Sequence, residues 1–354
     1  MTPVADEQTI EPITIPVKSQ HRFDEVALDA YLQAHVAGYQ GPLSVQQFEG
    51  GQSNPTFLLE TPDRNYVLRR KPPGVLMRSA HAVDREYRVL AALARTDFPV
   101  PRPYALCEDE SVLGTVFFVM DHIPGRVMRD PLMTELTPGE RRTLVCDYVD
   151  TLAELHAIDY RSLDLESFGR PGNYFERQIS RWGRQYRETE TASIPEMHRL
   201  LDWLERSVPE QRNTSIVHGD YQFGNVLTHP TQPTVVAVLD WELSTIGDPL
   251  ADFTYFTAPW HAPSGERSFA DIDLEAHGVP SYEELLDRYC RKTGRPGIEQ
   301  PHFYRAFHAF RSGAIIQGII RRAMQGNNAG EMALTFSAEN VRALAERGLT
   351  HTRI

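Results

Sequence analysis

The chain has 354 residues, 41% of them hydrophobic and 24% charged, the balance of an ordinary globular protein with length for one large or two modest domains. Its formal net charge of −12, from 48 acidic against 36 basic residues, argues against non-specific binding to nucleic acid or to an anionic membrane surface. Cys107, Cys146 and Cys290 lack C-x-x-C spacing, which argues against a disulfide framework or a cysteine zinc site and fits a reduced, cytoplasmic setting. There is no secretory h-region and no run of about 18 apolar residues.

In chain order, residues 1–20 are polar and proline-bearing and read as a flexible arm. A short helix is predicted near 24–36. Strand-like pieces follow at Leu43–Glu49, Thr56–Glu60 and Tyr66–Arg70, the last two joined by the turn-type Thr61-Pro-Asp-Arg-Asn65 as a hairpin. Lys71-Pro-Pro-Gly74 ends the strand, because proline has no N–H for the ladder. A helix over 80–95 carries Val83, Tyr87, Leu90 and Ala94 on one stripe. Further strands are predicted near 104–108 and 115–121, giving residues 21–121 a sheet of about five strands with one inserted helix. Residues 122–354 turn mostly helical. Thr137-Pro-Gly-Glu140, Ser193-Ile-Pro-Glu196 and Ser281-Tyr-Glu-Glu284 read as capped helix starts, with further helices over about 303–325 and 337–347. The fold class is therefore α+β and bilobal, a sheet lobe followed by a larger helical lobe.

Between those helices lie Ile216-Val-His-Gly-Asp-Tyr-Gln-Phe-Gly-Asn-Val-Leu227 and Val238-Leu-Asp-Trp-Glu242. They put Asp220, Asn225 and Asp240 on loops framed by short apolar runs. Taken singly, such residues cap helices and make turns. In this order and spacing they match the needs of phosphoryl transfer: a carboxylate facing the acceptor hydroxyl, and two oxygen ligands for Mg²⁺. Asp220 is the candidate catalytic base, a weak one that orients the hydroxyl and takes its proton late. Asn225 and Asp240 are the candidate metal ligands.

His218-Gly-Asp220, four residues and Asn225, with Val238-Leu-Asp240-Trp-Glu242 and Gly247-Asp-Pro-Leu-Ala-Asp252, resembles the aminoglycoside phosphotransferase-like kinases, distant relatives of protein kinases. The likeness extends over about residues 40–330. Tyr66-Val-Leu-Arg-Arg-Lys-Pro-Pro-Gly74 resembles the branch whose kinase-like domain is fused to an acyl-CoA dehydrogenase in some eukaryotic proteins. The resemblance implies a protein-kinase-like fold, ATP and Mg²⁺ as cofactors and a small-molecule hydroxyl acceptor, with a hydroxyacyl-CoA or hydroxy acid suggested by the branch.

It also implies further site residues. Gly50-Gly-Gln-Ser-Asn54 falls where the nucleotide-covering loop belongs, with Ser53 and backbone N–H groups toward phosphate. Arg69 takes the place of the strand lysine that contacts the α- and β-phosphates. Lys71 shares its face by period-two alternation, so either cation can serve. Glu86 is the helix carboxylate that pairs with that cation. The Asp121 carbonyl and Ile123 N–H would hold adenine, with Met120 behind it. His218 and His156 are expected to be structural, Asp248 and Asp252 to brace the catalytic loop, and Glu242 to help bind metal or be solvated. For the acceptor site, Tyr221, Trp241, Trp260, Tyr304, Arg311 and Arg321 are candidates by composition alone. The departure at Arg69 leaves a second reading, a nucleotide-binding pseudokinase. A third, a metal-dependent hydrolase on His218-x-Asp220 with His229, needs a denser ligand set.

Overall fold

The computed structural model describes residues 13–49, 54–72, 83–264, 268–325 and 336–352. Ser53 lies outside these residues. Among them, six strands form one antiparallel sheet in the order β1-β2-β3-β4-β6-β5. They are β1 (Thr14–Ile15), β2 (Ser44–Phe48), β3 (Thr56–Glu60), β4 (Asn65–Arg70), β5 (Pro103–Cys107) and β6 (Phe117–Asp121). The predicted hairpin is present: Glu60 pairs with Asn65, and the Thr61 hydroxyl donates to the Arg64 carbonyl at 2.6 Å across the turn. Thr14 and Ile15, expected within the arm, instead pair with Phe48 and Gln47.

Strand alternation sorts the sheet's two faces. Tyr66, Leu68, Phe117 and Val119 pack with Leu28 and Leu32 of α1 (Glu25–His35) in a small outer core. Val67, Phe118 and Met120 point the other way and join the main core with Val89, Leu90 and Leu93 of α2 (Val83–Leu93). A short α3 (Glu110–Leu113) precedes β6.

Beyond the two-residue β7 (Arg126–Val127) the chain is mainly helical: α4 (Pro138–Ala157), α5 (Tyr174–Thr189), α6 (Pro195–Arg206), α7 (Leu250–Phe256), α8 (Leu274–His277), α9 (Tyr282–Thr293), α10 (Pro301–Met324) and α11 (Ala338–Thr350). The boxes at Thr137–Glu140 and Ser281–Glu284 cap α4 and α9 as predicted. Ser193 does not cap α6. Pro195 takes the first helical position, so Ile194 becomes the cap residue, in line with proline's preference for that position.

The segment carrying the candidate chemistry is held by two small sheets. β8 (Ser215–Val217) pairs with β11 (Thr245–Gly247), and β9 (Val226–Thr228) lies between β10 (Val235–Val238) and β7. The 218–225 loop thus runs from β8 to β9, and Asp240 follows β10. Among the described residues no helix is long and apolar enough to cross a membrane.

Candidate active site

The loop between β8 and β9 is fixed from beneath. Asp252, on α7 and 1% exposed, accepts from the backbone N–H of His218 at 2.7 Å and of Gly219 at 2.8 Å. Burial alone would raise its carboxyl pKa, but the His156 hydrogen bond and the loop N–H groups bring it below the usual range. His156 lies 3.3 Å from Asp252 and 2.8 Å from the Tyr289 hydroxyl, so it supports the loop from behind. The fully buried His218 ring donates from Nε2 to the Leu239 carbonyl at 2.9 Å and accepts the Asp220 N–H at Nδ1, at 3.2 Å. That tautomer is neutral and has both nitrogens occupied, which leaves it a structural part. Gly219 has φ +85°, and a Cβ there would meet the Leu243 carbonyl oxygen at 2.6 Å, so only glycine fits this turn.

On this base Asp220 and Asn225 meet. The Asn225 amide nitrogen donates to the Asp220 carbonyl at 2.9 Å and to its carboxylate Oδ2 at 2.8 Å, and Gln222 Nε2 adds a third bond to that oxygen side at 3.1 Å. With its nitrogen committed to Asp220, the Asn225 side chain has only its oxygen to offer a cation. The Leu239 N–H donates to the Asn225 carbonyl at 2.8 Å, which ties the Asp240 segment to the same loop. Asp240 itself has φ +66°, a left-handed conformation uncommon outside glycine, and such outliers cluster at functional sites.

Arg69 comes from the sheet lobe. Its guanidinium forks, Nη1 to Glu86 at 2.7 Å and Nη2 to Asp240 at 3.0 Å. Burial opposes its charge, and Glu86 and Asp240 together raise its pKa above the usual value. Burial likewise pushes the Glu86 carboxyl up to about 7, against the pull of Arg69. Lys71 turns to Asp84 at 3.5 Å, so of the two cations on that face it is Arg69 that reaches the loop.

Arg69, Glu86, Asp240 and Asn225 line a cleft of about 230 Å³, together with Met120, Asp121 and Ile123. All the described nucleotide-side candidates therefore face one space. The Asp121 side chain accepts from the Tyr104 hydroxyl. Glu242 accepts from the Asn54 amide at 3.3 Å, and the Asp248 carboxylate accepts from the Leu250 N–H at the start of α7, at 2.9 Å, rather than from the 218–225 loop.

A second cavity, of about 590 Å³, opens beside the loop at Gln222, Gly224 and Asn225. Its wall carries Arg129, Arg305, Arg347, His261, His308 and His351, and no Asp or Glu among the described residues. Burial, and then Arg305, bring the His261 pKa down to about 4, while burial and Arg311 bring His308 to about 3. The three arginines are thus the charged groups of that wall at neutral pH. Most composition-based acceptor candidates go elsewhere. Tyr221 and Trp241 are buried and bonded to the carbonyls of Tyr148 and Val238, Tyr304 is core, and Trp260 bonds the Pro280 carbonyl. Arg311 reaches the loop itself. The wall was missed because its members come from distant segments and no local pattern joins them.

Among the described residues, no group of three His, Cys, Asp or Glu is placed to hold a metal. His229 Nδ1 is occupied by the Thr231 and Gln232 N–H groups of its own turn, at 3.2 Å each. The hydrolase reading loses its ligand set. Mg²⁺ needs only one or two protein oxygens beside phosphate and water, and Asn225 and Asp240 fit that demand.

A sheet lobe over a helical lobe, with this loop between them, defines the kinase-like fold. The chain belongs to the phosphotransferase enzyme family, whose model matches residues 44–298. It is 42% identical over 319 residues to acyl-CoA dehydrogenase family member 10 of Mus musculus, a match covering 89% of this chain and 30% of that protein's length. A solved Ralstonia eutropha structure, provisionally described as an aminoglycoside phosphotransferase, is 46% identical with a TM-score of 0.85, covering 94% of this chain and 99% of the other. A thermostable aminoglycoside phosphotransferase mutant, in ternary complex with AMP-PNP and hygromycin B, shares the fold at 16% identity and a TM-score of 0.57, covering 92% and 98%.

Proposed function

We propose that this chain is an ATP- and Mg²⁺-dependent kinase that moves the γ-phosphoryl group to a hydroxyl of a small anionic acceptor, of the hydroxyacyl-CoA or hydroxy-acid class. The observation that carries it is the joining of Asp220 and Asn225 to the Asp240 segment between two cavities, one lined by the nucleotide-side residues and the other by arginines. Asp220 orients the acceptor hydroxyl and takes its proton as the bond to phosphorus forms. Asn225 and Asp240 would hold Mg²⁺, which when bound neutralises phosphate charge. Glu86 holds one arm of the Arg69 fork, and the other arm, which bonds Asp240 here, would turn to the phosphates when nucleotide binds. Asp121 and Ile123 offer the adenine edge a strand end, with Met120 behind. Residues 21–121 would form the nucleotide lobe and 122–354 the acceptor lobe.

The arginine wall supports an anionic acceptor over a polycationic one, since a cation there would meet like charge on the cavity wall. The cavity's size lies in the range of small-molecule sites, about 300–1,000 Å³. The test is ATP turnover against a panel of hydroxyacyl-CoAs, hydroxy acids, choline and aminoglycosides. Turnover should depend on an anionic acceptor and fall by about 10²–10⁴-fold in Asp220→Ala; equal turnover in the two proteins sinks the assignment. A second reading, nucleotide binding without phosphoryl transfer, is favoured by Arg69 holding Asp240. It predicts Mg²⁺-dependent ATP binding and no turnover with any acceptor.

A further inference from the structure

Asp220 is held by more than its own loop. Arg311 lies on α10, 92 residues beyond Gly219 in sequence, and is 8% exposed. Its Nη2 donates to the Gly219 carbonyl at 2.8 Å and lies 4.0 Å from Asp220 Oδ1. The guanidinium sits 4.9 Å from the Tyr255 ring centre and 5.6 Å from that of Trp182, which fixes its plane. Tyr255 belongs to the same cluster: burial and then the neighbouring Asp220 carboxylate raise its hydroxyl pKa. Asp220 is thus gripped on two sides. The amides of Asn225 and Gln222 take Oδ2, and Oδ1 faces the Arg311 cation.

We infer that Arg311 is a positioning residue for the candidate base, fixing the orientation of the Asp220 carboxylate from behind the loop through the Gly219 peptide and its own charge. This rests on the phosphotransferase reading. The arrangement needs arginine rather than lysine. One planar group bonds a carbonyl, faces a carboxylate and lies against two aromatic rings, which a single ammonium cannot do together. The substrate-side surface does not include it. Arg311 lines a separate void of about 20 Å³ behind the loop, with Trp182, Gly219 and Asp252, so its removal should leave nucleotide binding intact.

The experiment compares wild type, Arg311→Lys and Arg311→Ala, measuring kcat, the KM for ATP and melting temperature, with and without added guanidinium or ethylguanidinium ion. Positioning predicts a kcat loss of about 10²-fold, the cost of misplacing a reacting group by roughly 1 Å, with the KM for ATP nearly unchanged. The space vacated in Arg311→Ala adjoins the existing void, so the added cation should restore part of kcat at fixed melting temperature. Variants that turn over like wild type overturn the inference. So do variants that lose kcat only together with ATP affinity and melting temperature and gain nothing from the cation; Arg311→Lys keeps this outcome readable if Arg311→Ala fails to fold. A wild-type chain with no turnover on any acceptor overturns the phosphotransferase reading and this role with it.

Discussion

The Arg69–Glu86 pair shows how one residue type changes what a site requires. Glu86 is 1% exposed, and its nearest cation is Arg69 at 2.7 Å. Burial raises its pKa from 4.5 to about 7. Between those values the folded chain holds a proton that the unfolded chain has released. The stability from Glu86 is therefore full below about pH 4.5 and lost as pH rises through about 7. Arg69→Met removes the cation and leaves the carboxyl buried alone. The variant should unfold more easily by about 3 kcal/mol or more at pH 8, and the gap should narrow at pH 6, where the carboxyl is neutral in both proteins. Urea denaturation at the two pH values measures it; a gap that is constant or widest at pH 6 contradicts the pairing. Which cation would do this was open in the sequence, because period-two alternation puts Arg69 and Lys71 on one face. Only the path of Lys71 to Asp84 separates them. By contrast Asp220, Asn225 and Asp240 were legible, since the loop that joins them is short and framed by apolar strands. Arg311 was not, since its contact with Gly219 spans 92 residues.

Elements were legible where their ends carry a chemical signal. Thr137 and Ser281 announced α4 and α9 because cap and third-position glutamate satisfy each other's groups. Helix α5 announces itself only by its stripe of Phe175, Ile179, Trp182 and Tyr186. It begins after Asn173 in a left-handed conformation with no side-chain cap, amid arginines and glutamines, so no start signal marks it. Helix ends offer a cleaner test. Gly278 and Gly294 close α8 and α9 with nearly the same geometry, φ +69° and +67°. A Cβ at Gly278 would lie 2.0 Å from the Pro138 carbonyl oxygen, whereas at Gly294 nothing lies within 4 Å. Gly294→Ala should cost about 1 kcal/mol, the left-handed backbone penalty. Gly278→Ala should cost clearly more, about 2–3 kcal/mol, because the first turn of α4 must also move. Equal losses in thermal melts would mean that the α8–α4 contact yields freely.

At the scale of the whole molecule, the charge of −12 and the arginine wall pull an anionic acceptor in opposite directions. Distance decides between them. The net charge is spread over the surface and screened beyond about 8–10 Å in physiological salt, while Arg129, Arg305 and Arg347 line the cavity itself. Arg305 has a defined setting: Nη2 donates to His261 Nε2 at 2.9 Å and the guanidinium lies over Tyr282 at 5.6 Å. His261, with its pKa near 4, accepts that bond as a neutral ring at pH 7 and adds no charge. The local attraction should therefore prevail, and salt should weaken it. The KM for an anionic acceptor should rise as ionic strength increases, with kcat at saturation little changed. Arg305→Met should raise that KM by about tenfold, the value of one charge-assisted contact of roughly 1.4 kcal/mol, and flatten its salt dependence. The KM for ATP should barely respond to Arg305→Met, since the nucleotide-side residues line a different cavity. A KM for the acceptor that falls with salt, or a preferred acceptor that is a cation, would show that the diffuse negative field dominates and that the wall does not bind the substrate.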